Sequence, residues 1–330
     1  MRVLLTGATG FVGSHVARAL FAAGHEVRAL RRKTAGPDRP DPVGMGGLSV
    51  EWVTGDLVDA ASLRRAVEGC EAVIHTAAEV RFTGGAEALA RQRTVNVDGT
   101  RNVVEAAVGA GVSRLVFTSS SASLGRAPRG GVADETQPYD WPPGFPYNES
   151  KRDSERIALA ANARGVPAIS LNPTMVLGPE APHDRQLRAM RLIQRGLFRL
   201  VPPGGLTLCD VREVARAHVT ALTRGKAGER YLLGGPHLTY RALIDLYAKA
   251  LHAPGPIGTV PAILLEAAAL PLFAVGHLFS LPFTADYLTA LADKRFYSSD
   301  KARAELDYKE TPAADLIADT VAWYRAIGRI

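Results

Sequence analysis

Val3-Leu4-Leu5-Thr6-Gly7-Ala8-Thr9-Gly10-Phe11-Val12-Gly13 is the stretch on which the fold turns. Val3, Leu4 and Leu5 form an apolar run that reads as a parallel strand covered on both faces. Gly7, Gly10 and Gly13 follow in the pattern G-x-x-G-x-x-G. Behind them Val12, Val16, Ala19, Leu20 and Ala23 recur at helical spacing, and Gly24 is placed to stop that helix. Glycines let the backbone turn sharply and let an anion approach the main chain. Exposed N–H groups and the positive helix end then hold a pyrophosphate. A glycine pattern alone also arises in structural turns. The strand before it and the helix after it make this one a predicted dinucleotide cradle, formed by Gly7, Thr9, Gly10, Phe11, Val12 and Gly13.

The rest of the chain is long enough for one nucleotide domain and a smaller appendage, at 330 residues. Hydrophobic residues at 47% and charged residues at 22% are ordinary for a soluble enzyme. Met1-Arg2 runs directly into the first strand, which predicts no leader. Cys70 and Cys209 give neither a metal-ligand spacing nor a disulfide framework, so no metal is expected and a cytoplasmic location is. The net charge of +6 comes from dispersed arginines without interleaved aromatics, which argues against nucleic acid and for anionic cofactors or substrates.

The first half alternates strands and helices, as a doubly wound parallel sheet requires. Strands are predicted at 25–30, 50–53, 72–75, 114–118 and 168–171, and helices at 60–69, 95–110 and 147–163. Segments 206–211 and 230–234 read as strands returning to the main sheet, with a helix over 212–224 between them. The expected α/β Rossmann domain is therefore 1–174 plus 206–235, and the mainly helical substrate domain is 175–205 plus 236–330.

Three constellations carry chemistry. After the second strand, where an acid would bind the ribose of NAD, stands Arg31-Arg32-Lys33. Arginine matches a phosphate, so NADP(H) is predicted, with Arg31 as the main contact and Arg32 beside it; a solvated basic turn is the alternative. Thr118-Ser119-Ser120-Ser121 ends the fifth strand, where a hydroxyl can hold a substrate oxygen. Tyr147-Asn148-Glu149-Ser150-Lys151 opens a helix, so Tyr147 and Lys151 share a face and the ammonium should lower the pKa of the phenol.

With these motifs in this order the chain resembles the extended short-chain dehydrogenases/reductases, the NAD-dependent epimerase/dehydratase superfamily. Within it the dihydroflavonol-reductase-like group, with the 3β-hydroxysteroid dehydrogenases and hopanoid-associated enzymes, is the nearest likeness. The resemblance implies Tyr147 as proton donor and acceptor, Lys151 as its partner and ribose ligand, and Ser120 as the substrate-binding hydroxyl, with Ser119 and Ser121 open as alternatives. It implies adenine contacts at Asp56 and Leu57 and room for the cofactor at Thr76, Ala77 and Ala78. Thr118 and Ser119 are implied along its path, and Asn172, Pro173, Thr174 and Val176 beside the nicotinamide. A homodimer through helices 95–110 and 147–163 follows by analogy. Asn96 is either a helix-start polar group or a stabiliser of the catalytic helix.

On the substrate side, Arg185, Arg188, Arg191, Arg195 and Arg199 form a basic stripe, read as a solvated face or as a contact to an anionic substrate. Residues 260–283 are the most apolar stretch, with Glu266 and His277 its only ionisable residues. Pro261, Pro271 and Pro282 argue against a transmembrane span, which needs about 20 uninterrupted apolar residues, and leave helices over an apolar substrate pocket or a peripheral membrane contact. The resulting expectation is an NADP(H)-dependent oxidoreductase interconverting a ketone or aldehyde and an alcohol on a hydrophobic or aromatic small molecule. A nucleotide-sugar epimerase with bound NAD and a non-catalytic NADP(H) sensor are the rivals. A sugar 4,6-dehydratase is disfavoured by Ser120-Ser121-Ala122, where that family has Thr-Asp-Glu.

Overall fold

A computed structural model describes residues 1–32, 47–82, 85–128, 130–181, 185–265, 267 and 290–330. In chain order it has β1 (Arg2–Thr6), α1 (Phe11–Ala22), β2 (Glu26–Arg31), β3 (Val50–Thr54), α2 (Ala60–Val67), β4 (Ala72–His75), α3 (Ala86–Arg93), α4 (Gly99–Ala110) and β5 (Arg114–Thr118). There follow α5 (Pro146–Ala160), β6 (Ala168–Pro173), β7 (Met175–Leu177), α6 (Arg185–Gln194), β8 (Leu200–Val201), β9 (Gly205–Asp210), α7 (Val211–Thr220) and β10 (Arg230–Leu233). The chain closes with β11 (His237–Thr239), α8 (Tyr240–Leu251), β12 (Gly258–Thr259), β13 (Lys294–Arg295), α9 (Asp300–Leu306) and α10 (Ala313–Ala326).

Seven strands form one parallel sheet in the order β3-β2-β1-β4-β5-β6-β10. Its strands are apolar on both faces because helices cover both. Val3, Leu5, Ala29 and Ile74 pack towards α1 and α7, and Leu4, Leu30, Val73 and Leu115 towards α2 and α4. The strand order reverses at β1, so a crevice opens beyond the carboxyl ends of β1 and β4. Register makes these ends level: Thr6 pairs with His75, His75 with Phe117, and Thr118 with Leu171. Gly7, Thr76, Ser119 and Asn172 thereby reach one rim.

One expectation is corrected here. Segment 230–233 does join the main sheet beside β6, but Gly205–Asp210 does not. It is the centre of a second sheet, with β7 and β13 parallel to it and β11 antiparallel. All six of its residues are buried, so in sequence it is indistinguishable from a main-sheet strand. Val211 opens α7, whose first turn is capped by the Asp210 carboxylate accepting from the N–H of Arg212.

The second sheet packs with α6, α8 and α10 in a separate apolar core that includes Leu187, Met190, Ile193, Tyr247, Leu316 and Tyr324, with Trp323 beside it. Of the apolar stretch 260–283, only Val260–Leu265 and Ala267 are described; Glu266, His277, Pro271 and Pro282 lie outside the described residues, as does Lys33. Among the described residues no helix is long and apolar enough to cross a membrane.

Candidate active site

The cradle between β1 and α1 needs its glycines for space. Gly7 has φ of +80°, the left-handed region, and a Cβ there would stand 2.5 Å from Thr76 Oγ1 and 2.7 Å from the Ala77 nitrogen. A Cβ on Gly13 would overlap the carbonyl oxygen of Gly7, so the third glycine lets helix and strand close up. Gly10 is the residue before α1 and donates its N–H to the Gly7 carbonyl at 2.8 Å. A Cβ at Gly10 would meet only that oxygen, at 3.2 Å, which leaves the approach to the helix N-terminus open. Thr9 is exposed beside it, and Phe11 and Val12 are half-buried. This is a cradle that fits a pyrophosphate.

At the end of β2 the two arginines diverge, as adjacent strand residues must. The Arg31 guanidinium lies over the Trp52 ring, 5.4 Å from its centroid. Arg32 lines a pocket of about 290 Å³ with Thr54, Gly55, Asp56, Asp59, Ser62 and Arg65. Both acids there are held by their own turns. Asp56 Oδ1 accepts from the N–H of Val58, and Asp59 Oδ1 from those of Ala61 and Ser62. Leu57 is buried below.

The Thr76-Ala77-Ala78 exit of β4 is small and half-buried. Beneath it a buried chain of hydrogen bonds fixes one histidine tautomer. Thr100 gives its proton to the Asn96 carbonyl at 2.6 Å, so its oxygen accepts from His75 Nε2 at 3.1 Å, and His75 Nδ1 accepts from Thr6 Oγ1 at 2.6 Å. Burial, with Lys151 nearby, pushes His75 down to about 3, which keeps it neutral. Asn96, in the π turn between α3 and α4, is itself buried and donates to Ser150 Oγ at 3.1 Å and to the Glu79 carbonyl at 2.9 Å. It holds α5 in place.

Tyr147 and Lys151 sit one turn apart on α5, and both are buried. The Tyr147 ring meets Phe82 edge-on, with centroids 5.1 Å apart. Lys151 Nζ donates to the carbonyl of Thr118 at 2.7 Å and lies 4.8 Å from the Phe117 ring centroid. Burial pushes its ammonium down to about 8, against the opposing pull of Glu155.

The serine triplet separates by where its hydroxyls go. Ser119 is buried and donates to Ser123 at 3.2 Å. Ser120 is half-buried, and its Oγ accepts the N–H of Ala122 at 3.2 Å as it caps the short turn 121–123, which leaves its own proton free to donate. Ser121 is half-buried next to it. The Thr118 hydroxyl points to the other face of the sheet and donates to His218 Nε2 at 2.6 Å, because His218 Nδ1 donates to the Val214 carbonyl. Burial holds His218 down to about 4, hence neutral.

Asn172 is fully buried and meets the site from behind. Its amide donates to the Ser120 carbonyl at 3.2 Å, to Ser123 Oγ at 2.9 Å and to Glu155. Pro173 is buried, Thr174 donates its N–H to Leu233, and Val176 packs on the core of the main sheet. Glu155 was not singled out in the sequence. It is 2% exposed and accepts from Ser123 Oγ at 2.9 Å and Ser170 Oγ at 3.0 Å, with Arg230 at 3.2 Å. Its signal was its position four residues after Lys151, which puts it on the inward face of the helix.

A glycine cradle at the switch point of a doubly wound sheet, with Tyr and Lys on the helix after β5, defines a nicotinamide-dinucleotide enzyme of the extended short-chain dehydrogenase/reductase type. The chain belongs to the NAD dependent epimerase/dehydratase family, whose model matches residues 3–234. It is 32% identical to the "Sterol demethylase protein B" of Methylococcus capsulatus, over all of both chains. It is 34% identical to a "Putative dihydroflavonol 4-reductase" of Synechocystis sp., over 99% of this chain and 95% of that one. The crystal structure of gox2253 superposes with a TM-score of 0.87 at 34% identity, covering 99% of each chain. The family binds a nicotinamide cofactor, and the relatives are oxidoreductases acting on small molecules.

Proposed function

We propose that the protein is an NADP(H)-dependent carbonyl reductase and alcohol dehydrogenase acting on an apolar or aromatic small molecule. The observation that supports the reading is that Lys151, one turn after Tyr147 on α5, donates to the carbonyl of Thr118 at the end of β5, two residues before Ser120. A bound nicotinamide dinucleotide supplies or accepts the hydride. Tyr147 gives its proton to the substrate oxygen as charge develops there, and the Ser120 hydroxyl donates a hydrogen bond to the same oxygen. The Lys151 ammonium, anchored on the Thr118 carbonyl, stabilises the phenolate that Tyr147 becomes. In the oxidative direction the phenolate takes the proton back.

The pocket lined by Arg32 and Arg65 supports the 2′-phosphate of NADP as the group bound there. Neither guanidinium is paired with an acid among the described residues. In this reading Arg32 and Arg65 contact the phosphate, and Arg31, stacked on Trp52, adds charge from the opposite face. The names of the two curated relatives support a ring-bearing apolar substrate.

The test is calorimetry with NADPH and NADH, followed by NADPH oxidation over aromatic and steroidal carbonyls. Tight preference for NADPH is expected, with turnover that falls at least about a thousandfold in Tyr147→Phe while NADPH still binds. Protein that carries NAD and oxidises no added NADPH would replace this reading with a nucleotide-sugar epimerase. Biological function preserved in Tyr147→Phe would replace it with a sensor.

A further inference from the structure

From Arg185 to Cys209 the chain has five arginines and no acidic residue, and from Leu246 to Leu265 it again has no Asp or Glu. The fold brings these two segments together. β8 pairs with β12 so that Leu200 stands opposite Gly258; the N–H of Ile257 donates to the Arg199 carbonyl at 2.8 Å and that of Val260 to the Val201 carbonyl at 2.9 Å. On the surface of this junction Leu197, Leu200, Ile257, Ile263 and Leu264 are 64%, 59%, 66%, 70% and 56% exposed.

A single exposed leucine needs no explanation, but five large aliphatic side chains at one short strand pair and in the segment that follows it do. Their surroundings say what covers them. Leu187, Met190 and Ile193 hold the apolar face of α6 in the C-terminal core, so Arg188, Arg191 and Arg195 face outward, and Arg199 continues the row into β8. The face is therefore aliphatic and cationic, and the Asp245 carboxylate, beside Gly255, stands at its margin. The face complements a surface that offers apolar depth beneath a layer of negative charge.

We infer that this face docks on an anionic phospholipid bilayer. The leucines and isoleucines of the β8–β12 junction enter the boundary between headgroups and acyl chains, and Arg195 and Arg199 pair with the lipid phosphates. A peripheral attachment of this kind brings the substrate domain against the phase in which an apolar substrate is dissolved.

The test is sedimentation of the full-length protein with vesicles of phosphatidylcholine alone, or of equal parts phosphatidylcholine and phosphatidylglycerol. The protein should sediment with the mixed vesicles, release as salt is raised, and stay in solution with phosphatidylcholine. Leu197→Ser with Ile257→Ser, and separately Arg195→Glu with Arg199→Glu, should each lower the partition at least about tenfold, with urea midpoints unchanged because all four side chains are exposed. Absence of binding to the mixed vesicles overturns the inference, and so does equal binding by both variants. Self-association in lipid-free sedimentation velocity that Leu197→Ser abolishes also overturns it, and assigns the face to a second copy of the chain.

Discussion

Among the described residues the Lys151 ammonium has no carboxylate partner; it is buried against Phe117 and donates to the Thr118 carbonyl. With its folded value near 8 and its ordinary value at 10.5, the unfolded chain binds the extra proton between those limits. Stability of the cofactor-free protein therefore rises with pH from about 8 to about 9, by about 1 kcal/mol, below the range in which the buried Cys209 thiol, held up to about 12, begins to oppose it, and the cost of burying the ammonium is felt in full below 8. Urea midpoints measured across that range check the sign. If the charged form is the working one, kcat/KM falls above about pH 8, and Lys151→Arg moves that limb beyond the accessible range. Arg32→Ala together with Arg65→Ala should weaken NADPH by about a hundredfold and leave NADH within a few-fold, each cation contributing roughly 1–2 kcal/mol to a charge-assisted contact. Calorimetry of the two dinucleotides checks it. The sequence placed both arginines after β2 at the phosphate end, but not which of them faces the pocket, because a strand's alternation is fixed only once its register is known. The serine triplet shows the same limit. Three adjacent hydroxyls look alike in sequence, and only their partners separate Ser119, which bonds inward, from Ser120.

Helix α5 buries four polar side chains that the proposed mechanism and the fold both draw on: Tyr147, Ser150, Lys151 and Glu155. Tyr147 and Lys151 are buried one turn apart, with Lys151 reaching the end of β5, and Glu155 one turn on gathers Ser123, Ser170, Asn172 and Arg230. Asn172 and Ser123 in turn hold the carbonyl of Ser120. Glu155→Ala opens a cavity at a buried position, takes away the acceptor shared by Ser123, Ser170 and Asn172 and leaves the Arg230 guanidinium without its carboxylate, and should cost about 3 kcal/mol, read from chemical denaturation; Glu155→Gln keeps the volume and an acceptor and should cost less than half as much. Among the elements, β4 and β5 were legible to the residue because each is a short apolar run between turns. Helix α3 was not, since Gln92 is its only buried residue and no apolar stripe marks it. Glu155 escaped for a related reason: a carboxylate in a helix of charged residues reads as solvated until the strands behind it are known.

At the scale of the molecule, the two parts are joined across the loop that follows β5. Ala133 bridges to Tyr297, the Tyr297 hydroxyl donates to the Gly125 carbonyl at 3.1 Å, and Trp141 Nε1 donates to the Leu124 carbonyl at 3.0 Å. The loop after the serine turn is thus tied to the segment that follows β13. A dinucleotide held along the rim of the main sheet binds the folded protein alone. At a hundred times its dissociation constant it should stabilise the protein by about 2.7 kcal/mol, seen as a rise in the denaturation midpoint for NADPH and a smaller one for NADH at equal concentration.

The chain has three tryptophans, and the structure distributes them by region. Trp52 lies under Arg31 on β3, Trp141 in the loop before α5, and Trp323 in the C-terminal core. The cation resting on the Trp52 ring makes that indole sensitive to any movement of the Arg31 guanidinium. In the NADP(H) reading the emission of Trp52 should change when the cofactor phosphate arrives beside β2, and change less with NADH, while Trp323, packed in the C-terminal core, should not respond.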